Sequence, residues 1–133
     1  MQRQYFTFEV KACEKGVVIA LNEIPGNTTY HSYEVGLGME NGFSYIYDAQ
    51  LKRNVAESET KDILSCTEFR SFWVAWTDVG PDRYIRVGTG QVNQEPYLIE
   101  YLKLNEKAHL RAVSLDSQDE ADWRFRDDAG EKS

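Results

Sequence analysis

The sequence predicts an all-β fold: an antiparallel β-sandwich, with a jelly-roll-like arrangement as one form of it, built from about nine or ten short strands. Three observations carry that prediction. Apolar and polar residues alternate at period two through most segments, and no segment bears a useful 3.6-residue apolar stripe. Aromatic residues make up 13% of the chain, with eight Tyr, six Phe and three Trp, and flat rings pack well on a pleated, half-buried surface. Clusters of Gly, Pro, Asn and Asp punctuate the chain at short intervals.

The elements run in order along the chain. From Tyr5 to Ala12, Phe6, Phe8, Val10 and Ala12 alternate with Tyr5, Thr7, Glu9 and Lys11, giving a half-buried strand. After the turn-like Glu14-Lys15-Gly16 comes a short apolar run, Val17 to Leu21. In Tyr30 to Leu37, Tyr33, Val35 and Leu37 share one face. Asn41-Gly42 marks a turn, because both residues accept positive φ at low cost, and Phe43 to Tyr47 returns as its hairpin partner. Residues 49–62 are polar and read as a long loop or a short exposed strand. Phe69 to Thr77 carries Phe72, Val74 and Trp76 on one face and Trp73 and Ala75 on the other, the pattern of a central strand. Asp78-Val79-Gly80-Pro81-Asp82 is turn chemistry. Further strands are expected at Tyr84 to Val87, Tyr97 to Leu104, His109 to Leu115 and Trp123 to Arg126.

Composition sets the wider limits. At 133 residues, with 41% hydrophobic and 28% charged, the chain reads as one globular domain over 1–133, its core at 5–126 and a polar tail at 127–133. Twenty-two acidic residues against 15 basic give a net charge of −7, which repels phosphate backbones and argues against nucleic acid as a partner. No apolar stretch is long enough to span a bilayer, so membrane insertion is not expected. Met1-Gln2-Arg3-Gln4 leads straight into a strand-like segment and does not read as a signal peptide. Cys13 and Cys66 cannot make a metal site alone, and their reading is open between two buried thiols and one disulfide. Asn27-Thr28-Thr29 is a glycosylation sequon. With the cysteine pair, Asn27 favours an extracellular or secreted setting over a cytoplasmic one.

Several segments resemble the farnesoic acid O-methyltransferase-like domain family. Phe6-Thr7-Phe8-Glu9-Val10-Lys11-Ala12-Cys13 is similar to its opening strand, and Tyr33-Glu34-Val35, Gly38, Asn41 and Ser44-Tyr45-Ile46 are similar to its next segments. The likeness continues through Ile63-Leu64-Ser65, Glu68-Phe69-Arg70-Ser71-Phe72-Trp73-Val74-Ala75-Trp76, Ile85-Arg86-Val87-Gly88-Thr89-Gly90 and Trp123, covering roughly residues 5–125 in order. It implies a β-sandwich module of multidomain proteins, and its name implies methyl transfer from S-adenosylmethionine. The residues depart from the family in three places. Gly38-Met39-Glu40 stands where Gly-Gly-Trp is common, Tyr47 where Arg is common, and Asp116 to Asp122 where a glycine-rich stretch is common.

The candidate sites point to recognition. Gly36-Leu37-Gly38 and Gly88-Thr89-Gly90 precede no helical pattern, so they read as turn glycines at strand ends and no cofactor is expected. His31 and His109 lack a nucleophile on the same face, and no catalytic residue is assigned. Asp116, Asp119, Glu120 and Asp122 form an acidic loop without the glycine of a dedicated calcium loop, and no metal site is assigned. Trp73, Trp76 and Trp123 read as core. Arg86, between Ile85 and Val87, reads as a solvent-facing charge on an exposed sheet or, as a ligand site, lines a concave face with Tyr47, Tyr84 and Tyr101; Asn41 is chiefly a turn residue that also contacts ligand. Tyr offers a plate and a hydroxyl, and Arg a rigid donor fork. The expected function is a lectin-like module for a glycan or protein ligand within a larger extracellular protein. The alternatives are a methyltransferase acting on farnesoic acid and a structural spacer.

Overall fold

The computed structural model describes residues 5–13, 15–22, 31–76, 83–103, 112–117 and 121–125. They form ten strands: β1 (Tyr5–Ala12), β2 (Val17–Asn22), β3 (His31–Leu37), β4 (Phe43–Asp48), β5 (Arg53–Glu59), β6 (Arg70–Trp76), β7 (Arg83–Gly88), β8 (Ile99–Lys103), β9 (Ala112–Ser117) and β10 (Ala121–Phe125). The first sheet runs β10-β1-β6-β7-β8 and the second β5-β4-β3-β2-β9. Every pairing is antiparallel. This is the all-β sandwich that the alternating pattern predicts. The pairs β1–β10 and β2–β9 give it a jelly-roll-like rim, while β2 to β5 and β6 to β8 run as two meanders inside that rim.

The core forms where the inward residues of the two sheets meet. Phe8, Val10 and Ala12 of β1, Val17, Ile19 and Leu21 of β2, Tyr33, Val35 and Leu37 of β3, and Phe72, Val74 and Trp76 of β6 are buried there with Ile85, Val87 and Ile99. Phe8 stands at the centre of an aromatic group, 5.8 Å from the Phe72 ring and 5.6 Å from that of Trp123. β6 also buries its outer face. Trp73 is wholly buried over Gly88, meets the Tyr97 ring edge-on at 5.8 Å, and donates its indole N–H to the Thr89 carbonyl at 3.1 Å. The two-sided apolar pattern of this strand therefore corresponds to a sheet covered on both sides.

β4 inverts the rule. Its inward residues are Ser44, Ile46 and Asp48, all buried, and its outward residues are Phe43, Tyr45 and Tyr47. Local bonding accounts for the two buried polar groups. Ser44 Oγ lies 2.6 Å from Thr60 Oγ1 and accepts the Gly38 N–H, so one hydroxyl ties two connections together. Asp48 Oδ1 accepts the N–H groups of Gln50 and Leu51, closing the turn into β5.

Two connections define one end of the sandwich. Cys13 and Cys66 are joined by a disulfide that bridges the β1–β2 and β5–β6 connections, and the Ala12 N–H donates to the Ser65 carbonyl beside it. In the β3–β4 turn Gly42 has φ +87°, and Asn41 Oδ1 accepts the Phe43 N–H. The polar stretch 49–62 contains β5, whose edge position lets it remain polar on its outer side. Asn27, the 78–82 turn, His109 and the tail from Asp127 lie outside the described residues, as do Asp119 and Glu120 of the acidic loop. Among the described residues there is no helix, hence none long and apolar enough to cross a membrane.

Candidate functional site

The five residues expected to bind ligand do not converge. Tyr84 and Arg86 lie on the outer face of the first sheet, where the guanidinium stacks 3.8 Å from the centroid of the Tyr84 ring and 4.9 Å from that of Tyr97. Its Nε lies 2.8 Å from Glu100 Oε2 on the adjacent strand. Burial pushes the Arg86 pKa down, but the hydrogen bond to Glu100 and the neighbouring charges outweigh it, and the net shift is upward. Tyr101 pairs in register with Ile85, so it shares the core side and faces Tyr33 at 6.2 Å. Tyr47 belongs to the other sheet, and Asn41 sits in an end turn. The period of two and the division into two sheets thus separate residues that the sequence had suggested as one concave face.

Around Arg86 the first sheet is laced with its own charge pairs. Arg124 meets Glu9 at 2.7 Å, Lys11 meets Asp122 at 3.8 Å, and both cations also lie over the Phe69 ring. Such ladders stabilise the sheet across its strands. They also place each of these cations beside a carboxylate of the same face.

The second sheet presents a different outer face. Three cross-strand rows build it: Phe43 beside Glu59, Gly36–Tyr45–Glu57, and Glu34–Tyr47–Asn54. Alternate residues on a strand stand about 7 Å apart, so Phe43, Tyr45 and Tyr47 form an aromatic strip, with Glu34 on its β3 side and Glu57 and Glu59 on its β5 side. The Tyr45 ring covers Gly36, and its hydroxyl donates to Glu34 Oε2. Burial, then that hydrogen bond and the Glu34 charge, drive the Tyr45 pKa well above its ordinary value. Glu57 accepts a hydrogen bond from Asn54 at 3.0 Å, and Phe43 keeps 39% of its surface exposed. A groove of about 350 Å³ opens here between Met39, Asn41, Phe43, Tyr45, Asn54 and Glu57. Of the residues expected from sequence, Asn41 lines this groove, and Tyr47 stands on the same outer face beyond it. Phe43, Tyr45, Asn54 and Glu57 were not among them, although three aromatics at alternate positions were a legible signal.

A second cavity of about 380 Å³ lies at the disulfide end, between Met39, Lys61, Ile63, Leu64, Cys13 and Cys66. Among the described residues no three His, Cys, Asp or Glu side chains are placed to share a metal ion.

Two antiparallel sheets packed face to face, with an aromatic strip on one outer surface, define a β-sandwich protein. The chain belongs to the farnesoic acid O-methyl transferase family, whose model matches residues 1–129. No curated protein and no solved structure matches it.

The family description implies S-adenosylmethionine, and the glycines that could cradle it can be tested directly. A Cβ at Gly88 would stand 2.6 Å from Trp73 Cζ2, and Gly36 is covered by the Tyr45 ring. Gly38 is backed by Leu64 at 2.8 Å and Gly90 by the Gln94 side chain at 2.8 Å. The chain's own side chains fill the space that a cofactor would need at these positions. The two glycine pairs do not fit a cofactor cradle, and no methyl-transfer step can be derived from them.

Proposed function

We propose that residues 1–133 form one non-catalytic recognition domain, lectin-like in its chemistry, that binds a glycan across the outer face of β4. The observation that carries this reading is the inversion of that strand. An unconstrained sandwich strand buries its rings and exposes its polar groups, whereas here Ser44 and Asp48 are buried and three aromatics face out. Departures from local rules of this kind concentrate at functional sites. The chemistry suits sugars. An aromatic plane receives the C–H face of a pyranose, while Asn41, Asn54 and Glu57 supply planar polar groups for hydroxyls. A shallow groove of this kind gives weak single-site binding, which a multidomain parent would strengthen through multivalency. The Cys13–Cys66 bond and the Asn27 sequon favour an extracellular setting for that parent.

The test is a thermal-shift screen against mono- and oligosaccharides, because a ligand that binds only the native state raises Tm by mass action. A sugar-dependent rise that is lost in Phe43→Ala and Tyr47→Ala and retained in Arg86→Ala is the expected result. A rise abolished only by Arg86→Ala moves the site to the first sheet. A rise with S-adenosylmethionine, and none with any sugar, returns the protein to the methyltransferase reading.

A further inference from the structure

The groove on the aromatic face and the cavity at the disulfide end share a wall. The β3–β4 turn divides them: Asn41 and Phe43 line the groove, Glu40 and Gly42 line the cavity, and the half-buried Met39 lines both. Lys61 crosses the same divide. Its stem passes over Gly42, with Cγ 3.5 Å from where a Cβ would stand there. Its ammonium lies 3.7 Å from Glu59, the residue opposite Phe43. Both partners of that ion pair are strongly exposed, so little is lost when they part. The cavity matches the groove in the kind of surface it offers: Met39, Ile63 and Leu64 are apolar, while Glu40, Lys61 and Asp62 bring hydrogen-bonding groups. Asp62 has φ +62°, a left-handed conformation that glycine adopts freely and aspartate at a cost. Glycine meets that need at positions 16, 38 and 42 of the neighbouring turns. At position 62 a carboxylate stands instead, facing the cavity, and strain of this kind gathers where a side chain is put to use.

We propose that the glycan site continues past the tip of the β3–β4 hairpin into the end cavity, so that its ligand is an oligosaccharide: sugar rings along Phe43, Tyr45 and Tyr47, and a further ring beyond Met39 whose hydroxyls are held by Asp62 and Lys61. The inference rests on the glycan reading above and adds a length requirement to it. The strip from Tyr47 to Phe43 is itself about 14 Å long, more than one pyranose covers. The cavity of about 380 Å³ opens at its Phe43 end, lined by the adjoining Gly42. A single sugar meets one part of this surface, and a chain of sugars meets all of it.

The experiment is calorimetric titration of the full chain with β-linked oligomers of glucose, of N-acetylglucosamine and of mannose, each from disaccharide to hexasaccharide. In a series that binds, affinity is expected to rise about tenfold between the shortest and the longest member. Asp62→Gly deletes the carboxylate and suits the left-handed backbone, so the melting temperature is expected to hold. In that variant the hexasaccharide affinity is expected to fall about tenfold, to the level of the disaccharide. Lys61→Ala, at a strongly exposed position, is expected to lower it about threefold. A hexasaccharide that binds no more tightly than its disaccharide overturns the extension while the glycan reading stands. So does a gain with length that survives both substitutions, or binding confined to single sugars of the wider panel. If no oligomer binds and no sugar of the wider panel does, the glycan reading itself fails and takes this inference with it.

Discussion

Replacing Gly88 with alanine tests whether this glycine serves packing and not a cofactor. The added Cβ would stand 2.6 Å from Trp73 Cζ2 and 2.9 Å from Cε2, whereas carbon atoms in good contact sit about 3.5–4.0 Å apart. About 1 Å must therefore be found. Trp73 is wholly buried, pressed edge-on by Tyr97 and held by its bond to the Thr89 carbonyl, so the ring has little room to retreat. Overpacking of this kind costs about 1–3 kcal/mol. Loss of the indole hydrogen bond adds roughly another 1 kcal/mol. The sum is about 2–4 kcal/mol, which with a urea m-value of about 2 kcal/mol/M lowers the midpoint by about 1–2 M. Tryptophan fluorescence during urea unfolding reads it. Gly42→Ala is the control: φ is +87°, yet the nearest atom is Lys61 Cγ at 3.5 Å, so it carries only the left-handed backbone penalty of about 1–2 kcal/mol. A Gly88→Ala protein as stable as the wild type, but altered in binding S-adenosylmethionine, would refute the reasoning.

Three further outcomes are expected. The Cys13–Cys66 bond closes a sequence separation of 53 residues, and the loop-entropy relation gives about 4 kcal/mol for it. Urea midpoints of the Cys13→Ser/Cys66→Ser double variant and the wild type should differ accordingly, and a difference under about 1 kcal/mol would contradict a constraining cross-link. Ser44→Ala removes the acceptor for the Gly38 N–H and the partner of the Thr60 hydroxyl in a fully buried place, a loss of about 1–3 kcal/mol measurable in the same assay. The Tyr45 pKa is raised above its ordinary value of 10.0, so its contribution is complete below pH 10 and declines as pH climbs above it. Stability measured between neutral and strongly alkaline pH should fall less in Tyr45→Phe than in the wild type.

Much of the sandwich was legible because period-two alternation reports burial directly. Tyr5 to Ala12 has the bounds of β1, and Tyr33, Val35 and Leu37 share a buried face as their spacing required. Trp73 and Ala75, apolar residues on the second face of their strand, are both buried, and Tyr97 of the β7–β8 connection stands edge-on to Trp73. The site was less legible, for two physical reasons. Sequence spacing states which residues of one strand share a face, but not which strands share a sheet, so Tyr47, Tyr84 and Tyr101 could not be sorted. Hydrophobicity ordinarily decides which face points inward, and in β4 the bonds of Ser44 and Asp48 override it. Residues 53–59 were ambiguous because an edge strand can remain polar in sequence, and its pairing with β4 appears only in the structure.

The rim of the fold has a consequence for how the protein is made. β1 is paired with β10, placing Phe8 opposite Phe125, and β2 with β9, placing Val17 opposite Ser117. Each sheet therefore receives a strand from late in the sequence beside one from early in it. Such distant pairings raise contact order and slow folding, because the closure entropy must be met before the contacts form. As the chain leaves a ribosome, β2 to β5 can assemble their meander early, and β1 can join β6 midway. Until residues 112–125 emerge, however, the edges of β1 and β2 that β10 and β9 later cover are available to other extended chains.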